Sequence, residues 1–180
     1  MNLPNKITLF RVVMIPFFLV LMLVPQIPYA NYFATVVFVI ACLSDFLDGY
    51  LARKYHLVTN FGKFMDPLAD KLLVCSALIC FVELAYVPAW IVIIIIAREF
   101  IISGFRLIAS DNGVVIAASY WGKFKTVTQM IACILLILQL PFSWAALAAD
   151  IFLYAALILT IISLCEYVWK NREVIRDKKQ

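Results

Sequence analysis

Charge is scarce in this chain. Of 180 residues, 14% are Asp, Glu, Lys or Arg and 66% are apolar, with a mean hydropathy of +1.01. A soluble domain carries about 25% charged and about 45–50% apolar residues. A surface built from this composition could not stay dissolved, so an ordinary soluble enzyme, a disordered chain and a disulfide-stapled secreted module are excluded. Histidine is nearly absent too: His56 is the only one. The five cysteines (Cys42, Cys75, Cys80, Cys133, Cys165) are odd in number, form no C-x-x-C pair and sit in apolar stretches. They read as small packing residues, and a zinc site of His and Cys is not expected. The bilayer must be the main solvent, and nucleic acid is not expected among the partners.

What is abundant is apolar sequence, and it falls into spans. Val12–Ser44 holds no charge, but 33 residues is too long for one crossing, and Pro25 and Pro28 break it. A spanning helix needs about 20 residues, which predicts spans at 7–24 and 31–52. Leu72–Val82 is charge-free for only eleven residues, so span three must extend backward through Asp66 and Asp70. Span four is expected at 88–109 with Arg98, Glu99 and Arg106 inside it, span five at 124–140 and span six at 149–169. The fold class is therefore all-α: one polytopic membrane domain over 1–180, with six transmembrane helices. The N-terminus is expected to stay attached, with Asn2-Leu3-Pro4-Asn5-Lys6 leading into a short N-terminal interfacial helix and Thr8 and Arg11 at the entrance of span one. No internal repeat or low-complexity tract interrupts the chain.

Lysine and arginine set the orientation. The expected connections 25–30, 84–88 and 141–148 contain neither. All 15 lie elsewhere: Lys6 and Arg11; Arg53, Lys54, Lys63 and Lys71; Arg98, Arg106, Lys123 and Lys125; and five from Lys170 onward. The positive-inside rule then puts both termini in the cytoplasm.

Of only 11 acidic residues, four fall within 26 positions: Asp45, Asp48, Asp66 and Asp70. On a helix, 45, 48, 49 and 52 share one face, and 62, 66 and 70 share a face of the next. Two antiparallel neighbours joined by a short basic loop can bring these carboxylates together at the cytoplasmic end. Like charges about 4 Å apart repel by about 4 kcal/mol at an effective dielectric of about 20. Such a cluster needs cations. Arg53, Lys63 and Lys71 supply some, but oxygen-only donors suit hard divalent ions such as Mg²⁺. Gly49 and Ala52 leave room for a ligand near the helix backbone, or for close helix packing. The plainer alternative is a set of interfacial aspartates that cap helices and solvate a loop, which Pro67 would suit. Four acids on facing stripes argue against it, because ionisable groups at membrane depth are costly and usually functional.

The spacing D-x2-D-G-x2-A-R-x8-G-x3-D-x3-D, met at every position from Asp45 to Asp70, resembles the signature of the CDP-alcohol phosphatidyltransferases. Size and six crossings are similar to that family as well. Three further stretches resemble its bacterial branch that uses glycerol 3-phosphate as acceptor: Asn2 to Arg11, Ala97 to Arg106, and Gly122 to Thr126. The resemblance implies transfer of the phosphatidyl group from CDP-diacylglycerol to the primary hydroxyl of sn-glycerol 3-phosphate, giving phosphatidylglycerophosphate and CMP in phospholipid biosynthesis. It implies two Mg²⁺ ions, replaceable by Mn²⁺, held by Asp45, Asp48, Asp66 and Asp70, with Asp70 also the general base. It further implies that Gly49, Ala52, Arg53 and Gly62, with Asp45, Asp48 and Asp66, line the CDP-diacylglycerol pocket. Asn5 and Thr8 would contact the donor from the N-terminal segment. A homodimer among membrane lipids, in the bacterial cytoplasmic (inner) membrane with its active site facing the cytoplasm, completes the expectation.

The acceptor is a dianion and calls for a basic pocket. Arg98 and Arg106 lie eight residues apart, just over two helical turns, so both can face one cavity. Arginine's fork bonds two phosphate oxygens at once, and Lys123 and Lys125 enter from the next span. Snorkelling to lipid headgroups is the alternative for these cations. Adjacent residues diverge on a helix, so Glu99 is expected to orient a partner other than Arg98. Glu166 is expected to pair with a basic residue, Asp150 and Glu83 to sit at the outer interface, and His56 to carry no role. Another acceptor on the same fold (serine, inositol phosphate, or phosphatidylglycerol in a cardiolipin synthase) would have little use for the paired arginines, except where it carries phosphate. A cation transporter would more commonly show repeated halves, and a catalytically dead scaffold would release no CMP.

Overall fold

A computed structural model describes residues 3–54, 60–111 and 119–171, with side chains for all of these except 3–5, 45–54, 60–67, 70, 108, 110 and 111. Each long apolar run becomes a helix: α1 Leu3–Leu23, α2 Ala30–Lys54, α3 Asn60–Glu83, α4 Ala89–Asp111, α5 Tyr120–Leu138 and α6 Ser143–Lys170. Among the described residues the structure is all-helical. Lys6–Leu23, Tyr120–Leu138 and Ser143–Lys170 are long and apolar enough to cross a membrane. The shortest helix, α5 with 19 residues, reaches about 28 Å at 1.5 Å per residue, against about 30 Å of hydrocarbon.

Two expectations are corrected. Among the described residues no separate interfacial helix precedes span one, because α1 runs unbroken from Leu3. Pro4 lies at its second position, in the first turn, where a missing N–H costs no bond. The connection expected at 141–148 is mostly helix, since α6 begins at Ser143. Pro141 stops the chain from continuing α5, and the Ala-rich run after Trp144 favours helix at once. The backward extension of span three holds: α3 starts at Asn60 and carries positions 66 and 70.

The chain forms two compact units, Met1–Val87 with Ile134–Leu140, and Pro88–Cys133 with Pro141–Gln180. In the first, α1 packs on α2 and α3, and α2 on α3. The inward stripe of α1 is Thr8, Arg11, Ile15, Phe18 and Met22, spaced alternately by three and four. It meets Ala34, Phe38 and Ala41 of α2 and Ala69, Leu73 and Ala77 of α3, all buried. The Phe18 and Phe38 rings stand 5.9 Å apart. The opposite face of α1 exposes Phe10, Val13, Phe17 and Val20. Apolar residues on both faces suit a helix with lipid around it. In the second unit, α4 packs on α6.

The connections 24–29, 84–88 and 139–142 are short. Each contains a non-glycine residue in the left-handed region: Tyr29 (φ 58°), Ala85 (φ 57°) and Gln139 (φ 44°). The turn after α3 is a Schellman motif. Tyr86 N–H donates to Phe81 O at 2.8 Å and Ala85 N–H to Val82 O at 3.0 Å. The Tyr86 ring stacks on Phe81 with centroids 6.4 Å apart, the apolar contact that accompanies this cap.

Candidate functional site

Polar groups interrupt the inward stripes of the first unit towards one end. On α1 these are Thr8 and Arg11, both 1% exposed. Arg11 Nε donates to the carbonyl of Ala41 at 3.2 Å, which sets position 11 of α1 level with position 41 of α2. Four and seven residues beyond Ala41 come Asp45 and Asp48, continuing the helical register of Ala34, Phe38 and Ala41 on α2. On α3, positions 66 and 70 lead into the buried register of Leu73 and Ala77. The side chains of Asn5, Asp45, Asp48, Gly49, Ala52, Arg53, Gly62, Asp66 and Asp70 lie outside the described residues. Their backbone is helical, as the i, i+3, i+4 spacing requires. Among the described residues no cluster of three metal-ligating side chains occurs.

The second unit holds a buried charge cluster. Arg98, in the middle of α4, is 7% exposed and Lys125 of α5 is 2% exposed. Arg98 Nη1 donates to Glu99 Oε1 at 2.9 Å, and Lys125 Nζ donates to the same oxygen. Arg98 Nε donates to Ser163 Oγ on α6 at 3.2 Å. Ser163 in turn donates to the carbonyl of Thr160 at 3.0 Å. Ser119 caps the start of α5 by accepting the Gly122 N–H at 3.1 Å, an N-cap of the common kind. A Cβ at Gly122 would stand 3.1 Å from Arg98 Nη2 and 3.5 Å from Ser119 Oγ. Glycine therefore allows the guanidinium to approach α5 closely.

Of the four cations expected to share an acceptor pocket, Arg98 and Lys125 meet on Glu99. Arg106 is exposed, its guanidinium carbon 6.0 Å from the centroid of the Tyr167 ring, and Tyr167 is one turn after Ser163 on α6. Lys123 is exposed over Tyr120, 5.4 Å from the ring centroid. Two helical positions separate it from Lys125, which turns it to another face. Glu99 does engage a partner other than Arg98, namely Lys125. The expectation that it would not meet Arg98 is corrected. Their Cβ directions diverge, but the arginine side chain is long enough to curl back to a neighbouring carboxylate. Glu166 pairs with Lys170 at 2.6 Å, and Asp150 and Glu83 are exposed. Sequence reasoning missed Ser163 and Gly122 as neighbours of Arg98. A serine and a threonine, Ser163 and Thr160, in the apolar run of α6 were the available signal.

One carboxylate between two buried cations leaves a single positive charge in excess. Arg98 Nη2 has no hydrogen-bond partner among the described residues. Such an arrangement can take an anion with several oxygens, a phosphate above all.

The chain matches the family model for CDP-alcohol phosphatidyltransferase over residues 1–162, a family whose members depend on divalent metal. It is similar to three proteins, each called CDP-diacylglycerol–glycerol-3-phosphate 3-phosphatidyltransferase. It is 47% identical to that of Bacillus subtilis (strain 168), with 97% of each chain covered. It is 44% identical to that of Haemophilus influenzae, covering 99% of this chain and 98% of the relative. Against that of Escherichia coli (strain K12) the identity is 36%, with 98% of each covered. A full-length match of this kind, on a helical chain whose acidic signature falls on two packed helices, has one reading: the chain belongs to the CDP-alcohol phosphatidyltransferase family.

Proposed function

We propose that this chain transfers the phosphatidyl group of CDP-diacylglycerol to the primary hydroxyl of glycerol 3-phosphate, releasing CMP and forming phosphatidylglycerophosphate. The observation that carries the site is the change from apolar to acidic along the inward registers of α2 and α3. It occurs towards the end of the first unit where Thr8 and Arg11 are buried. Four aspartates are an oxygen-only donor set, which fits Mg²⁺, with Mn²⁺ as a substitute. Asp45, Asp48, Asp66 and Asp70 would hold two such ions. Bound there, the ions would offset the negative charge of the donor's pyrophosphate.

The chain's own residues do the rest. Gly49, Ala52, Arg53 and Gly62 accommodate the cytidine diphosphate group, with Arg53 reaching the pyrophosphate and Asn5 and Thr8 contacting the donor from α1. Arg98 and Lys125, which meet on Glu99, orient the acceptor's phosphate, and the exposed Lys123 and Arg106 add positive charge that attracts it. The acceptor's hydroxyl proton passes to the Asp70 carboxylate. The hydroxyl oxygen then bonds to the phosphorus that carries diacylglycerol, and the bond from that phosphorus to the CMP oxygen breaks. Positioning and charge complementarity supply most of the acceleration in phosphoryl transfer.

The topology that goes with this chemistry is six crossings of the bacterial cytoplasmic membrane by one domain, with both termini and the site facing the cytoplasm. All six helices have the length for it, and the absence of Lys and Arg from three alternate connections supports the orientation. We include a homodimer in the proposal, on the strength of the family resemblance alone. The test is incubation of detergent-purified protein with CDP-diacylglycerol, Mg²⁺ and separate samples of glycerol 3-phosphate, serine and inositol phosphate. Phosphatidylglycerophosphate from the first sample alone is the expected product. A product from another alcohol would overturn the acceptor, and no CMP release from any would overturn the activity.

A further inference from the structure

We propose that Glu99 is a positioning residue for the acceptor's phosphate, an inference that rests on the acceptor reading above and deepens it. Its Oε1 receives donors from two helices at once, Arg98 Nη1 at 2.9 Å and Lys125 Nζ. Both cations are almost fully covered by protein, so water does not hold their orientation. The other edge of Arg98 is fastened through Nε to Ser163 Oγ at 3.2 Å. With Nε and one N–H of Nη1 engaged, the two N–H groups of Nη2 are the pair left to present, and Nη2 lies beside the bare backbone of Gly122. Glu99 thus fixes the rotation of the guanidinium fork and its separation from the Lys125 ammonium. Without the carboxylate, two buried cations face each other with no counter-charge and must move apart. A phosphate bound by both would then lose one of them.

The measurement is steady-state kinetics of Glu99→Gln in detergent, with inorganic phosphate as a competitor of glycerol 3-phosphate. Loss of one charge-assisted contact predicts a rise of about tenfold or more in the KM for glycerol 3-phosphate. The inhibition constant of inorganic phosphate should rise by a similar factor. The KM for CDP-diacylglycerol should stay put, and kcat should fall much less than the acceptor KM rises. Glu99→Asp keeps the charge, and its acceptor KM should lie between wild type and Glu99→Gln. It also serves as the folded reference should Glu99→Gln be unstable, a wild-type KM in it then overturning the inference. An unchanged or lowered acceptor KM in Glu99→Gln would overturn it as well, as would an equal rise in both substrates' KM, which marks general damage. Arg98→Gln separates the two levels. If it raises the acceptor KM while Glu99→Gln does not, the positioning role fails and the pocket stands. If neither variant alters acceptor KM or phosphate inhibition, the pocket itself fails.

Discussion

Gly122→Ala tests the close approach of α4 to α5 with a single methyl group. The new Cβ would lie 3.1 Å from Arg98 Nη2, short of ordinary contact by a few tenths of an ångström. The guanidinium cannot slide away freely, because Ser163 holds Nε and Glu99 holds Nη1. Straining one such charge-assisted bond costs about 1 kcal/mol, a fraction of its full value of about 1.5–3. Replacing glycine by alanine in a helix returns up to about 1 kcal/mol. The two terms nearly cancel, so stability should change by less than about 1 kcal/mol. Function should not cancel. The methyl takes the space in front of Nη2, the donor available to the acceptor, and loss of that contact should raise the KM for glycerol 3-phosphate about tenfold. Thermal unfolding in detergent reads the first quantity, and CMP release against glycerol 3-phosphate concentration reads the second. A wild-type acceptor KM in a stable Gly122→Ala protein would refute the placement of the acceptor against this edge of Arg98.

Other perturbations read other parts of the molecule. Asp70→Asn should lower CMP release by about 10²–10⁴-fold, the range for a lost general base, with the circular dichroism spectrum unchanged. Ala85→Gly should raise stability by about 0.5–1 kcal/mol, because a left-handed backbone strains alanine and not glycine, and the unfolding midpoint in detergent should rise accordingly. Arg11→Met removes the Nε bond to Ala41 and should destabilise the fold by about 1.5–3 kcal/mol in the same assay. Lys170→Ala breaks an exposed i, i+4 pair with Glu166 and should change stability by no more than about 0.5 kcal/mol.

Much of the helical plan was legible because membrane helices advertise themselves by length and hydropathy. Span three was the hard case. Its charge-free core is short, and only the need to cross the bilayer argued for running it back through Asp66 and Asp70. The acidic register was equally legible, since three-and-four spacing is a property of one helix alone. Contacts between helices were not. Ser163 is an unremarkable hydroxyl in an apolar run until α6 packs on α4 and places it 3.2 Å from Arg98 Nε. Glu99 was misjudged in part because a helical wheel records Cβ directions and ignores how far an arginine reaches. Gly122 sat inside a recognised stretch, but its use, admitting a guanidinium from another helix, is a tertiary fact. The start of α6 was misread because a run without charge offers no boundary signal apart from Pro141.

The buckled connections at 24–29, 84–88 and 139–142 contain no lysine. In the topology proposed above these turns face outward, so a membrane-impermeant amine-coupling dye should label permeabilised cells more than intact ones, Lys6 being among the exposed amines it then reaches. Protein engineers meet the same asymmetry. Turns of four to six residues wound through a left-handed kink have no slack for an inserted epitope, so fusion partners belong on the amine-bearing side.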